Sequence, residues 1–531
     1  MISGSDPNHP GETHVKKILL IGLAAVLVVI AGLAVAVRML MDPERVRSTI
    51  AAQASAALGM PVSLEAASVS IWPRPRVNLS GLKVGEPASL TLNTIEVTTA
   101  LRALLSRRIE DAELTIADST ADLPALLAAL DGLAAETPAP PVEGTSTDAP
   151  LTLVSVDTIA FRNVRVIFDG GAATVSLDSA LDGDRLEIRS FELASDVTDL
   201  KASGAIESLA NRRGKLVISA ETLDLDRMIA LLSNVQRAQG AKGAQGANRA
   251  QRASGALEFD MTFEVTAAKG RAGGVQFDNL KTTIHATAHA VQMAPFGLGV
   301  FAGRVDGKVD VNTSKAEPVL ALDAKFAGID MRAVTAFAGQ PEAISGRLAG
   351  ELHVSGAGSE PTAALGNAAG RGAFRITDGA IPNLHLVRTI VLAFGKPASD
   401  ASGGGDRFTS IAATMELANS VVRFSSLSFA SPDVDVDGSG TLNLSAGAID
   451  VSGRARLSEA LTAQAGRDLV RYTADANRVT VPVTVTGQMT SPQVRVDAGA
   501  VLRRAAENEV KSQLKKQTEG LLDRFRGKKK P

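Results

Sequence analysis

Two histidines four residues apart, His285 and His289, are the first place in this 531-residue chain where a metal could be held. Between them stand Ala286-Thr287-Ala288, without the glutamate that a metalloprotease helix sets beside its histidines. On a strand, at about 3.3 Å per residue, the two rings share a face roughly 13 Å apart, too far to share one ion. Asp433-x-Asp435-x-Asp437-Gly438 imitates the opening of a calcium loop. Its twelfth position is Leu444, where a bidentate glutamate is needed, and the intervening valines suit a strand. Gly297-x-Gly299-x-x-Ala302 has the outline of a dinucleotide fingerprint but not its strand–helix surroundings. His353 and His385 stand alone, as structural histidines do. The chain has no cysteine, which removes disulfides, thiolate metal sites and a cysteine nucleophile together. No GxSxG or P-loop spacing occurs. These residues predict a chain that is not an enzyme and carries neither cofactor nor metal.

The elements that would position any site are strands. Phe259, Met261, Phe263 and Val265 alternate with Asp260, Thr262 and Glu264. Val479, Val481, Val483 and Val485 alternate with Thr480, Pro482 and Thr484, and Pro482 marks an edge or a bulge. Val434 and Val436 do the same between aspartates, and Leu442, Leu444, Leu320 and Leu322 continue the pattern. Period-two alternation gives strands with one buried and one wet face. It recurs from about Val62 to Val496 with few helical interruptions. The fold class predicted is therefore mainly β with a few helices: a long, curled, mostly antiparallel sheet, as an open groove or incomplete barrel, with short capping helices. Short helices are expected at Leu123–Ala135, Asp226–Leu232 and Met331–Ala338.

Residues 136–150, rich in Pro, Thr and Ser, and residues 237–255, rich in Gly, Ala and Gln, read as linkers. They divide the body into segments 38–135, 151–236 and 256–497. Charge is nearly balanced, 55 basic against 57 acidic residues, and the aromatics are 16 Phe, one Trp and one Tyr. A nucleic-acid surface, with its basic stripe and stacking rings, is not indicated.

Ile18 to Val37 carry no charge, and 20 residues at 1.5 Å each span roughly the 30 Å hydrocarbon core of a bilayer. A cleaved signal peptide competes with a retained anchor, because Ala34-Val35-Ala36 has the form of a cleavage site. Residues 1–17 form a tail ahead of this span, and Asp42-Pro43-Glu44 opens a helix running to Leu58, with Gly59 as its stop. Residues 498–531 have apolar positions near helical spacing among Arg503, Arg504, Lys511, Lys515 and Lys516. A basic amphipathic helix on a membrane surface and a solvated helix capping the sheet both fit.

Three stretches carry a resemblance. The first is the anchor, Asp42-Pro43, a helix, then Gly59-Met60-Pro61-Val62 and Val69-Ser70-Ile71-Trp72-Pro73. The second is Phe301 to Gly307, through Ile329-Asp330-Met331, to Ile344-Ser345-Gly346. The third is Gly370-Arg371-Gly372-Ala373-Phe374-Arg375-Ile376-Thr377-Asp378-Gly379-Ala380-Ile381, with a turn at Asp378-Gly379, closed by Val481 to Gly487 and Ser491-Pro492. In these the chain resembles the AsmA family of bacterial envelope proteins. Met60 departs from the arginine the family often carries there.

The resemblance implies a single-pass inner-membrane anchor with its N-terminus inside, a periplasmic body and a role in outer-membrane biogenesis. The family is similar to TamB-like proteins and to eukaryotic bridge-like lipid transfer proteins, whose curled sheets enclose a greasy groove. That implies membrane phospholipids as partners, possible contacts with outer-membrane assembly or inner-membrane proteins, and no nucleic acid. Two functions from different classes remain: a lipid conduit or carrier, and a scaffold regulating outer-membrane protein insertion. The alternating faces themselves allow a closed sandwich or barrel as readily as a groove.

Overall fold

In the computed structural model the described residues are 43–126, 152–227, 259–393, 406–464 and 474–497, less residues 101–107 and a few isolated positions, together with Val510 and Thr518. The span at residues 18–37, both linkers, Gly59, and Arg503, Arg504, Lys511, Lys515 and Lys516 of the C-terminal segment lie outside them. Among the described residues no helix is long and apolar enough to cross a membrane. The chain divides into two compact units, Met1–Ala288 and His289–Pro531.

The first unit opens with α1 (Pro43–Leu58), where Pro43 takes the first helical position and Glu44 pairs with Arg47 one turn on at 2.8 Å. Ile50 and Ala54, one turn apart, are buried against a short-strand layer. That layer comprises β1 (Val62–Ser63), β2 (Ala66–Ser70), β3 (Arg76–Val84) and β4 (Leu90–Thr98), with Val77, Leu79, Ile95 and Val97 at its centre. β5 (Arg108–Ile109) and β8 (Thr152–Leu153) pair apart from the rest. β1 and β2 both pair with β3, which pairs with β4. β4 pairs with β6 (Ala112–Ala117) and β7 (Thr120–Asp122). β6 and β7 then lie parallel to β9 (Ser155–Phe168).

Four more strands follow as an antiparallel meander: β10 (Gly171–Asp182), β11 (Arg185–Ser195), β12 (Asp199–Ser208) and β13 (Arg213–Asp224). β13 is joined in parallel to β14 (Asp260–Ala272), which pairs antiparallel with β15 (Val275–Thr287). A parallel neighbour cannot be reached by a hairpin; the chain must travel back along the strand. The two connections that do so, residues 123–154 and 225–259, contain the two compositionally biased segments. The expectation of a mostly antiparallel sheet thus needs two parallel seams added in this unit. Helix begins at Leu123, where Asp122 Oδ1 accepts from Ala125 N at 2.9 Å, and again at Leu225.

Among its described strands the second unit is antiparallel throughout. In spatial order it runs β16 (Ala290–Val300), β17 (Gly303–Asn312), β18 (Val319–Asp330), β19 (Arg347–Ala357), β20 (Ala369–Ile381) and β21 (Asp406–Ala418). It continues through β22 (Val421–Ala430), β23 (Val434–Asn443), β24 (Ala448–Leu457), β26 (Arg478–Gln488) and β27 (Ser491–Val496). β25 (Ala474–Asp475) pairs with Val479 and Arg478 on β26, and β27 takes over from Val483. Pro482 falls in the gap between those two partners, the place in a sheet where a missing N–H costs least.

Among the described residues four helices interrupt this meander: α2 (Met331–Phe337), α3 (Pro361–Gly366), α4 (Leu386–Ala393) and α5 (Glu459–Gln464). The first matches the expected helix at Met331 and is capped by Asp330, whose Oδ1 accepts from Arg332 N at 3.0 Å. The other three carried no strong sequence signal, being six to eight residues long. Asp406, buried at the head of β21, accepts the amide of Leu386 and so caps α4.

Candidate functional site

The registers place nearly every bulky apolar strand residue on one face of its unit. In the first unit Leu177 stands opposite Phe161 and Phe191, Leu186 opposite Ile206, and Gly204 opposite Leu216. Across the parallel seam Leu216 faces Phe263 and Ile218 faces Val265, and Phe263 in turn faces Ile284. In the second unit the rows run Val309–Leu322–Val354–Gly370–Leu417–Val422–Leu442–Ile449 and Phe296–Gly307–Ala324–Leu352–Gly372–Met415–Phe424–Gly440–Val451–Val485–Val494. Glycine recurs opposite aromatic rings, as Gly350 opposite Phe374 and Gly440 opposite Phe424, so a large side chain lies over a bare stretch of backbone. No seam breaks the apolar face within either unit.

Burial of that face is uneven. At one end of the second unit it is packed: Leu386 and Ile390 of α4 sit among Ile376, Phe408, Ile411, Phe429, Val434, Val479, Val481 and Val483. Ile390, Val434, Val479 and Val481 have no exposed surface. A second buried cluster, Ala413, Val422, Phe424 and Val451, follows on the same face. Over β17 to β19 the face is part-exposed, at Val305, Val309, Leu322, Leu352 and Val354, and Leu320 is 37 % exposed. In the first unit Leu186, Ile188, Phe191, Leu193, Leu200, Ile206, Leu216 and Ile218 are all part-exposed, whereas the layer under α1 is buried. An apolar side chain that stays half-wet forgoes part of the ~1.5–3 kcal/mol that full burial would supply.

The residues singled out from sequence therefore separate into groups. Met261, Phe263 and Val265 lie on the apolar face of β14, and Phe259 immediately precedes that strand. Leu320 and Leu322 lie on the part-exposed stretch of the second unit, Val436 packs against the α4 end, and Leu442 and Val485 pack against Val422, Phe424 and Val451. Val434, Val479, Val481 and Val483 belong to the packed end. Leu444 is past the end of β23, 53 % exposed, with its amide on Ser420 O at 2.8 Å. Asp378-Gly379, expected as a turn, lies inside β20, in unbroken register with β21. Thr377 pairs with Ser410 and Gly379 with Phe408, while Asp378 adopts φ 54° between them. A Cβ on Gly379 would fall 2.0 Å from Ser345 O, so only glycine fits. Sequence reading missed Leu186, Ile188, Phe191 and Leu193, although Arg185 to Glu192 carries the alternation that would have found them.

The opposite face is a lattice of ion pairs between neighbouring strands. Lys215 meets Glu264 at 2.6 Å across the parallel seam, Arg456 meets Asp437 at 2.6 Å, and Arg478 meets Asp435 at 2.9 Å. The two strand aspartates of the calcium-like motif thus serve arginines. Asp323 receives both His353 Nδ1 at 2.6 Å and Lys308 Nζ at 3.0 Å. The hydrogen bond from His353, then that from Lys308, holds its carboxyl below the usual carboxylate range. Exposed pairs of this kind contribute ~0–1 kcal/mol each; their effect is to fix register and keep this face in water. His285 is on this face too, 3.3 Å from Thr262 Oγ1, and His289 lies beyond the end of its strand. The Gly297–Ala302 motif is strand β16 and its turn. A depression of about 590 Å³ is bordered by Lys325, Glu351, Arg375, Thr414, Ser426 and Ser428 together with Ala349, Ala373 and Ala412, a mixed lining of polar and small apolar side chains.

The AsmA family model matches residues 13–140 and 184–464. The chain belongs to the AsmA family. Curated proteins and solved structures give no match to it. The matched residues of this AsmA-family chain take in α1, the short-strand layer and most of both meanders, including Asp378 and Gly379 of β20.

Proposed function

We propose that this AsmA-family protein is held in the bacterial inner membrane by residues 18–37 and that its periplasmic sheet carries phospholipid acyl chains on the apolar face, in support of outer-membrane assembly. The observation that carries this reading is an apolar face that continues across the strand seams of each unit and stays part-exposed over β11 to β13 and β17 to β19. Each methylene taken from water is worth roughly 0.8 kcal/mol, so an acyl chain laid along such a face is stabilised by many small contacts without covalent chemistry. Each unit offers eleven strand positions in the orders given above, or about 50 Å of face at ~4.8 Å per step. The charged lattice behind it leaves the other side in water.

The test is to extract the full chain in mild detergent and quantify bound phospholipid by native mass spectrometry, then follow exchange of labelled lipid between vesicles. Retained phospholipid and accelerated exchange are expected. A lipid-free protein that leaves exchange at the background rate would remove this reading and leave the scaffold function standing.

A further inference from the structure

The chain has one tryptophan, Trp72, and 86 % of its surface is exposed. It stands between β2 and β3, and described residues beside it are tied to the sheet. Ser70 Oγ donates to Trp72 O at 3.1 Å, Pro75 is fully buried, and Pro75 O accepts from Thr99 N at 3.2 Å. Arg74 meets Glu113 at 3.1 Å, and Arg76 meets Glu96 at 3.0 Å. An exposed indole is amphipathic, the character that places tryptophan at membrane–water interfaces.

The direction of α1 shows which end of the sheet this is. Near the helix C-terminus, Ser55 Oγ accepts from Val62 N at 2.9 Å, and Val62 is the partner of Val84 at the far end of β3. Eight residues earlier, Arg47 Nη1 donates to Glu65 O at 3.4 Å, and Glu65 N donates to Ser80 O. Eight helical residues advance about 12 Å and four strand residues about 13 Å, so helix and strand run side by side. Continued to Pro43, the helix start points toward the end of β3 that bears Trp72. Five residues, 38–42, separate Pro43 from the apolar run 18–37.

We infer that the Trp72 turn is a second membrane contact, in which the indole sits among the headgroups and upper acyl chains of the bilayer that anchors the chain. This rests on residues 18–37 being a retained span. One contact leaves a body free to swivel about its anchor; two set the angle at which the sheet leaves the membrane.

As the sole tryptophan, Trp72 is its own probe. The full chain is reconstituted into phosphatidylethanolamine–phosphatidylglycerol vesicles with and without lipids brominated near the top of the acyl chain. A matched control carries Trp72→Phe with Ala88→Trp, which moves the indole to an exposed site at the other end of β3, about 30 Å away. Flotation with the vesicles, about twofold quenching of Trp72 with a blue shift, and no quenching of the control are expected. Flotation with equal quenching of the two sites would overturn the contact and leave the anchor. A chain that does not float would remove the anchor and the contact together.

Discussion

Replacing Leu322 by aspartate separates a lipid-bearing face from an ordinary core. Leu322 is part-exposed, with Val309 and Val354 directly opposite on the two neighbouring strands. In the empty protein the carboxylate at this position reaches water. The fold then loses only the contacts of a half-buried leucine, about 1–2 kcal/mol. Against an acyl chain the cost is larger. Aspartate in hydrocarbon is unfavourable by ~2.5–3.5 kcal/mol and leucine favourable by ~0.3–0.6, a difference of roughly 3–4 kcal/mol. That is a loss of two to three orders of magnitude in local lipid affinity. Val481→Asp is the counterpart at the packed end, where the side chain has no exposed surface. There an unpaired buried charge costs about 3–5 kcal/mol of stability whatever the lipid content. Native mass spectrometry counts bound lipid and urea titration reads stability. Leu322→Asp should shed lipid and keep most of its stability, and Val481→Asp should unfold at markedly lower urea. Full lipid occupancy in a well-folded Leu322→Asp protein would refute the assignment of this face.

Three further outcomes follow from the packing and the charges. Ile390→Ala removes a fully buried side chain from beneath α4 and should lower stability by about 2–4 kcal/mol, read as a drop in Tm. Gly379→Ala sets a methyl against Ser345 O and the Phe408 ring and should cost more than ~1 kcal/mol by the same measure, with Ala380→Gly as a tolerated control. Because the Asp323 carboxyl is depressed in the folded state, its contribution is complete above the ordinary carboxylate value of about 3.9 and is lost as pH falls through the lower folded value. In His353→Ala, NMR titration of Asp323 should shift upward toward that ordinary value.

The alternation that exposed the strands was legible because period two needs only a few residues to declare itself. Phe263 and Leu322 could be put on an inner face from their neighbours alone. Whether that face is covered was not legible. Val481, in one buried cluster with Leu386 and Ile390 of α4, and the part-exposed Leu322 have the same pattern, and the cover of that cluster includes a helix remote in sequence. That helix, α4, is eight residues long and depends on Asp406 for its cap, a partner found only in the folded chain. Leu444 misled because alternation runs past Asn443 into the turn, where Ser445 and Ala446 fold back on the Asn443 side chain. The parallel seam at β14 left no local trace either, since a strand's sequence does not record the direction of its neighbour.

The two parallel seams also set the order in which the sheet can assemble. Hairpins such as β17–β18 close over a few residues and form early, whereas β13 finds β14 only after the chain between residues 225 and 259 has looped back. Doubling such a loop adds only ~0.6 kcal/mol of closure entropy, so its length is nearly free to drift. The seam itself is the late, slow stitch, and until it closes two raw strand edges stand open to any passing chain. A nascent copy is most exposed to misassembly at Leu216 and Phe263, where a chaperone would do the most good.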